Sequence, residues 1–327
     1  MAATTGLPVS SCWVVTEALK GLQNQAAGLA EALGLKFELK EFKTRSIIRK
    51  IFRTGDYGLT PPWPDLLITC GRQSVPAALA VRRASKLKTF CVHIQDPMAD
   101  PAGFDVVIVP AHDDLRAANV FVTQGAPNLV TPKRLAEAAE KFKPLFKDLP
   151  RPLIGVLVGG KNRYEGFSPA SIHDFSTKLK TAVTSSGGAL AVTPSRRTGE
   201  ENVTSLKREL KSVPLYMWDG LSDNPYFGLL ALSDALVVTG DSISMISEAC
   251  TTGKPVFIYE LPKCGKRHKR FCHSLFNSGT ARPFEGTLGK WNYPPLEDTR
   301  KAAEFVIQCY TARQLRCRDK QGEFLRF

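Results

Sequence analysis

Residues 235–261, ALVVTGDSISMISEACTTGKPVFIYEL, read as strand, loop, helix and strand, and their loop is suited to phosphate. Gly240 ends the first strand, Asp241 and Ser242 are candidate helix N-caps, and Ser244 lies in the first turn. A helix start exposes unpaired N–H groups and the positive end of the dipole, so anions sit there readily. Glu248, further along the same helix, is placed to accept hydrogen bonds from a sugar hydroxyl. The plainer alternative is that Ser242 only caps the helix and Glu248 is solvated. Three more loops of this kind follow strand-like runs. LIGVLV is followed by Gly159, Gly160, Lys161 and Arg163, a candidate anion pocket, although paired glycines also serve ordinary tight turns. Ser195, Arg196, Arg197 and Thr198 form a third loop, in which paired arginines suit a diphosphate. The fourth carries Trp218 and Asp219, where an aromatic ring could border a nucleobase.

These loops need strands to position them, and the chain supplies strands in a regular rhythm. In the first half, strands at 12–16, 37–41, 65–69, 89–94, 106–109 and 119–123 alternate with helices at 19–33, 45–53 and 74–84. A Lys- and Pro-bearing stretch at 141–152 reads as a linker. Strands at 153–158, 189–193, 215–218, 235–239 and 255–259 then alternate with helices at 168–185, 200–211, 225–232 and 242–251, and 299–318 reads as a closing helix. Strands separated by helices imply parallel pairing and right-handed crossovers. The expectation is an α/β protein of two Rossmann-like domains, 1–145 and 152–300, with the helix 301–327 closing the chain. Open parallel sheets bind ligands at the carboxyl ends of their strands.

A chain of 327 residues suits two domains of roughly 150 residues each. With 43% hydrophobic and 23% charged residues it has globular composition. No apolar run approaches the roughly 20 residues of a bilayer helix. The N-terminus shows neither a signal-peptide pattern nor the Arg-rich pattern of a transit peptide, so a cytoplasmic location is expected. The eight cysteines include no CxxC pair, and the Cys264–Cys272 spacing around His268 fits no common zinc pattern, so no metal is expected. Net charge of +13 favours anionic partners. Two basic runs, 40–53 and 263–270, lack the interleaved aromatics of single-strand binders, so nucleic acid is not expected.

The pattern TGDSISMISEACTTGKPVFIYELP resembles the nucleotide-sugar loop of GT-B glycosyltransferases, above all the lipid-linked N-acetylglucosaminyltransferase of peptidoglycan synthesis. That resemblance implies a GT-B arrangement with an interdomain cleft, a small-residue loop on the diphosphate, and Glu248 on the donor ribose. ITCGRQSVPAALAVRRAS and FCVHIQDP are similar to the first-domain segments of the same enzymes. Over most of its length the chain looks like a member of the mitochondrial fission Elm-type family, whose bacterial members were formerly labelled nucleoside-diphosphate-sugar epimerases. WVVTEALKGLQNQAAGLAEALG, PDLLITCGRQSVPAAL, VGGKNRYEGF, TPSRRTGEE and NPYFGLLALSDALVVTGDSISMISEA carry that likeness. Plant members help to recruit a dynamin-related protein to mitochondria, which implies binding rather than catalysis. One departure bears on chemistry: the position of the peptidoglycan enzyme's basic His is Asn24 here, and Asn takes no proton at neutral pH. Glu17 or His93 would then be the base, Lys20 or Arg72 would steady a leaving phosphate, and Asn24 and Gln25 would line the acceptor side.

The segment 45–53 sets Ile47, Ile48, Ile51 and Phe52 beside Arg45, Arg49, Lys50 and Arg53. It suits either an anionic membrane surface, such as the inner membrane with a lipid-linked acceptor, or core packing with a solvated basic face. The expected activity is transfer of a sugar from a nucleotide diphosphate, with no cofactor, because arginines, lysines and helix ends neutralise the diphosphate. The alternatives are a non-catalytic nucleotide-binding adaptor with a protein partner, and a nucleotide-sugar epimerase.

Overall fold

The structure is a computed structural model that describes residues 7–41, 57–160 and 167–324, with side chains to residue 317. The chain divides into two compact units, Met1–Leu129 with Glu297–Phe327, and Val130–Leu296. The basic segment with Arg45, Arg49, Lys50 and Arg53 lies outside the described residues, as do Lys161 and Arg163.

In the first unit, β1 (Cys12–Thr16), β3 (Leu66–Cys70), β4 (Phe90–Ile94) and β5 (Val106–Pro110) are apolar runs buried along their whole length. Helices cover both faces of such a sheet, so its strands are continuously apolar rather than alternating. With β2 (Glu38–Glu41) and β6 (Val120–Thr123) they form one parallel sheet in the order β2-β1-β3-β4-β5-β6. Helix α1 (Lys20–Ala32) buries Ala26, Leu29 and Ala30 on one side, while α2 (Val75–Ala84) buries Ala77, Ala78 and Val81 with Phe104 on the other.

The second unit repeats the plan. Helix α3 (Pro132–Phe146) leads into β7 (Leu153–Val158), α4 (Pro169–Ser186), β8 (Ala189–Pro194), α5 (Glu200–Leu210), β9 (Leu215–Met217) and α6 (Tyr226–Leu232). Then come β10 (Ala235–Thr239), α7 (Ile243–Thr251), β11 (Val256–Tyr259), α8 (Lys266–Asn277) and the short β12 (Arg282–Pro283). All the pairings are parallel, in the order β12-β11-β10-β7-β8-β9. Read by position within the unit this is 6-5-4-1-2-3, the doubly wound Rossmann order.

Two boundaries differ from expectation. The stretch 141–152 is not wholly a linker: α3 runs to Phe146 with Pro144 inside it, and the buried Phe146 packs edge-on against Tyr216 of β9 at 5.3 Å. The chain therefore passes from one unit to the other at Leu129–Val130. The last helix, α9 (Asp298–Phe324), belongs to the first unit. The Asp298 carboxylate accepts the N–H groups of Gln124 (3.0 Å) and Gly125 (2.7 Å), and Tyr310 packs edge-on against Phe90 at 5.2 Å. No helix among the described residues is long and apolar enough to cross a membrane.

Candidate functional site

In the second unit β10, β7 and β8 are adjacent and parallel, so the loops following Thr239, Val158 and Pro194 leave the sheet at one edge. They are tied together by a residue that sequence reading treats only as a possible cap. Asp241 is 3% exposed, and its Oδ2 accepts the Gly160 N–H at 2.8 Å while its Oδ1 accepts the Thr239 hydroxyl at 2.6 Å. Thr239 in turn accepts the Gly159 N–H at 2.8 Å. Arg197 Nη2 lies 3.4 Å from Asp241 Oδ2, with its guanidinium 43% exposed.

This close meeting of backbones explains the paired glycines. A Cβ on Gly159 would stand 2.1 Å from Asp241 Oδ2, and one on Gly160 would stand 2.1 Å from the Arg197 carbonyl oxygen. The pair is therefore a packing device. Its two N–H groups are bonded to Thr239 and Asp241, so Gly159 and Gly160 use them within the protein. On the β8 side, Thr198 donates to the Gly159 carbonyl, and its hydroxyl accepts the Ser195 N–H at 3.0 Å. Ser195 is half-buried, whereas Arg196 is exposed beside Arg197. Next to this loop a hollow of ≈ 600 Å³ opens against Phe167, Ser168, Arg197, Thr198 and Asn202.

Past Gly240, whose N–H donates to the Tyr259 carbonyl at 2.8 Å, α7 begins. Ser242 is its extended N-cap residue, yet the hydroxyl makes no capping bond, and the first turn holds no acidic residue. The capping bond that an N-cap hydroxyl usually gives to the first turn is thus not made by Ser242. Ser244 is half-buried in that turn. Glu248 is 4% exposed and accepts a hydrogen bond from the Tyr226 hydroxyl, so the reading of Glu248 as a solvated residue is set aside. Burial, reinforced by the Glu248 charge, pushes the Tyr226 phenol well above its ordinary pKa, so it is a fixed donor.

Trp218 is half-buried and its ring N–H donates to the Ser222 carbonyl at 3.0 Å. Asp219 accepts from the Leu221 and Ser222 N–H groups, both at 2.9 Å, and from the Ser222 hydroxyl at 2.8 Å. These bonds lower its pKa and make the loop self-supporting. The basic run at 263–270 is mostly the start of α8. It brings Cys264 and Cys272 against the Gly240 carbonyl and sets His268 beside Asp241. Burial lowers the His268 pKa, and the Asp241 charge opposes that shift.

In the first unit, Glu17 follows β1 and is half-buried, Lys20 opens α1 in solvent, and Asn24 is half-buried one turn on. Gln25 is internal: its Oε1 accepts from the Cys70 thiol at 3.6 Å and from Gln95 Nε2 at 3.4 Å. Arg72 is exposed in the 3-10 turn Arg72–Ser74 after β3. His93 lies inside the sheet and not at its binding edge, which corrects its placement beside a substrate. Its ring is 0% exposed, Nδ1 lies 2.8 Å from the Thr69 hydroxyl, and the ring stacks on Phe104 at 5.0 Å. Burial lowers its pKa to about 3, which leaves a neutral core imidazole. Among the described residues, no group of three or more His, Cys, Asp or Glu side chains could hold a metal ion.

The family described as Mitochondrial fission ELM1 matches residues 20–310. A curated relative, the mitochondrial fission protein ELM1 of Arabidopsis thaliana, is 33% identical over 277 residues, which is 76% of this chain. The chain belongs to the mitochondrial fission ELM1 family. It spans 65% of the Arabidopsis relative's length. An uncharacterised protein of Rickettsia prowazekii is 28% identical over 74% of this chain and 79% of its own. Among solved structures, the UDP-GlcNAc 2-epimerase of Methanocaldococcus jannaschii is similar with a TM-score of 0.59 at 14% identity, covering 92% of this chain and 99% of that one. The MurG of Acinetobacter baumannii has a TM-score of 0.50 at 14% identity, covering 93% and 95%. These likenesses show a shared fold. This ELM1-family chain has the two Rossmann-like units of GT-B glycosyltransferases and epimerases.

Proposed function

We propose that Val130–Leu296 binds a nucleotide-diphosphate sugar, and that the protein acts as a GT-B-type glycosyltransferase on an acceptor of unknown identity. The observation that carries this reading is the edge where β10, β7 and β8 end. There the start of α7, with no capping bond from Ser242, lies beside the loop that carries the exposed Arg197, and Glu248, buried and held by Tyr226, follows further along α7. The diphosphate would lie over the start of α7, with Arg197 exchanging its contact to Asp241 for one to phosphate. Glu248 would accept from ribose hydroxyls, and Trp218 would border the base. No metal is required, since Arg197, Arg196 and the helix start supply the positive charge. Structures of this fold include the Methanocaldococcus jannaschii epimerase in complex with UDP-GlcNAc and UDP, which supports a uridine nucleotide as the first ligand to test.

A second reading is that the chain binds without catalysis. The burial of His93 and the presence of Asn24 favour it, because they leave Glu17 as the remaining carboxylate candidate for a base. Isothermal titration of UDP, GDP and their sugars into wild type and Glu248→Ala tests the pocket. Binding that weakens at least tenfold in the variant is expected; no binding of any nucleotide to wild type refutes the donor site. Release of nucleotide from a bound sugar, lost in Glu17→Ala, distinguishes transferase from adaptor.

A further inference from the structure

Cys264 and Cys272 both point at one atom. The Cys264 thiol donates to the Gly240 carbonyl at 3.8 Å and the Cys272 thiol to the same oxygen at 4.0 Å, so the two sulfurs lie within ~8 Å of each other. Cys264 is half-buried next to the start of α8 and is flanked by Lys263, Lys266 and Arg267, whereas Cys272 is buried one face inward on α8. Thiolates are stabilised by helix N-termini and neighbouring cations, and reactive thiols are partly accessible. We infer that Cys264 and Cys272 are an oxidisable dithiol, with Cys264 the attacking sulfur and Cys272 the resolving one.

A hydroperoxide is the oxidant. The Cys264 thiolate attacks the outer oxygen, the O–O bond breaks, and an alcohol or water leaves after taking up a proton, giving a sulfenic acid. The Cys272 sulfur then displaces that hydroxyl as water, and the S–S bond forms. The net change converts two thiols and one hydroperoxide into one disulfide, one alcohol (or water) and one water.

A disulfide needs its sulfurs at about 2.05 Å, so the segment before α8 must swing inward. The start of α8 is built to yield. Gly265 provides no capping side chain, and residues 266–270 carry four cations and no acid, opposed to the helix dipole. Both sulfurs would leave the Gly240 carbonyl, at the corner that opens α7. Any effect on nucleotide affinity rests on the proposed function; the oxidation does not.

The test is exposure of the full-length protein to stoichiometric hydrogen peroxide, followed by alkylation, trypsin and mass spectrometry without reductant. Lysines and arginines between the two cysteines place them on separate peptides. The expected result is a linked 264–272 peptide pair as the main intramolecular product, lost in Cys264→Ser, unchanged in Cys317→Ser and reversed by dithiothreitol. In Cys272→Ala, dimedone should trap a sulfenic acid at Cys264. Recovery of Cys264 as the free alkylated thiol while the exposed Cys317 oxidises would overturn the inference, as would a Cys264 linked mainly to another cysteine.

Discussion

Replacing Asp241 by Ala removes the acceptor for two buried donors, the Gly160 N–H and the Thr239 hydroxyl. The Gly160 amide is pinned beneath Arg197 and Thr198 and has no room to turn toward another partner. A buried donor left unpaired costs about 1–3 kcal/mol. Thr239 keeps the bond it accepts from Gly159 but loses the acceptor of its own hydroxyl hydrogen. The Arg197 contact adds little, because the guanidinium is 43% exposed and such pairs contribute at most about 1 kcal/mol. The sum is a loss of about 3 kcal/mol. At roughly 2–4 °C per kcal/mol for a unit of this size, the transition of Val130–Leu296 should fall by about 6–12 °C. Asp241→Asn keeps an acceptor oxygen and should lose about 1 kcal/mol. Differential scanning calorimetry of both variants, with any separate transition of the first unit as internal reference, makes the measurement. If Asp241→Ala melted within 1 or 2 °C of wild type, or if Asn were as damaging as Ala, the placing of Asp241 as the tie between three loops would be wrong.

Two further outcomes follow from buried titratable groups. Burial lowers the Lys254 ammonium to about 8, against the opposing attraction of Asp234, while Nζ donates to the Ala231 and Ser233 carbonyls. An unfolded lysine titrates near about 10.4, so between these values the unfolded chain binds more protons and stability rises with pH. Wild type should therefore gain on Lys254→Met in urea melts as pH rises from about 8 to 10.4, and a flat or falling difference would contradict the assignment. His93, lowered to about 3 by burial, should show no shift of its Hε1 proton resonance as pH falls from about 8 to 4.5. Because the unfolded ring protonates near about 6.5, the protein should lose stability as pH falls below that value. A His93 titration midpoint near 6–7 would place the ring in solvent.

The strands were legible because a sheet covered on both faces needs uninterrupted apolar runs, and LLITC, FCVHI, LIGVLV and ALVVT are such runs. The same property misleads at His93. A histidine one residue from a strand end reads as a group at the binding edge, yet it pairs in register with Thr69 and Val107 inside the sheet. Helix α8 was hidden by its charge, since KRHKR resembles a solvated loop, while Phe271, Cys272 and Leu275 are too few to set a clear period. In α3, Pro144 and the surrounding lysines suggested a linker; the proline removes one N–H bond to the preceding turn, and the helix ends two residues later at the buried Phe146. The phosphate-suited loops were visible from composition and from their places after strands. The role of Asp241 was not, because its main partner, Gly160, is 81 positions away and the contact exists only once β7 and β10 lie side by side. Glu248 was singled out from its place in the helix, but its partner Tyr226 depends on α6, which sequence reading placed without relating it to α7.

The central claim is that the edge where β10, β7 and β8 end holds a nucleotide-diphosphate sugar. Hydrogen–deuterium exchange of the full-length protein with and without saturating UDP-GlcNAc tests it most directly, because the edge comprises three short backbone segments far apart in sequence. Protection concentrated at residues 240–248 and 195–198, and reduced in Glu248→Ala, is the predicted result. Exchange unchanged by UDP-GlcNAc, GDP-sugars and the free nucleotides, or protection confined to residues 7–129, would contradict the account.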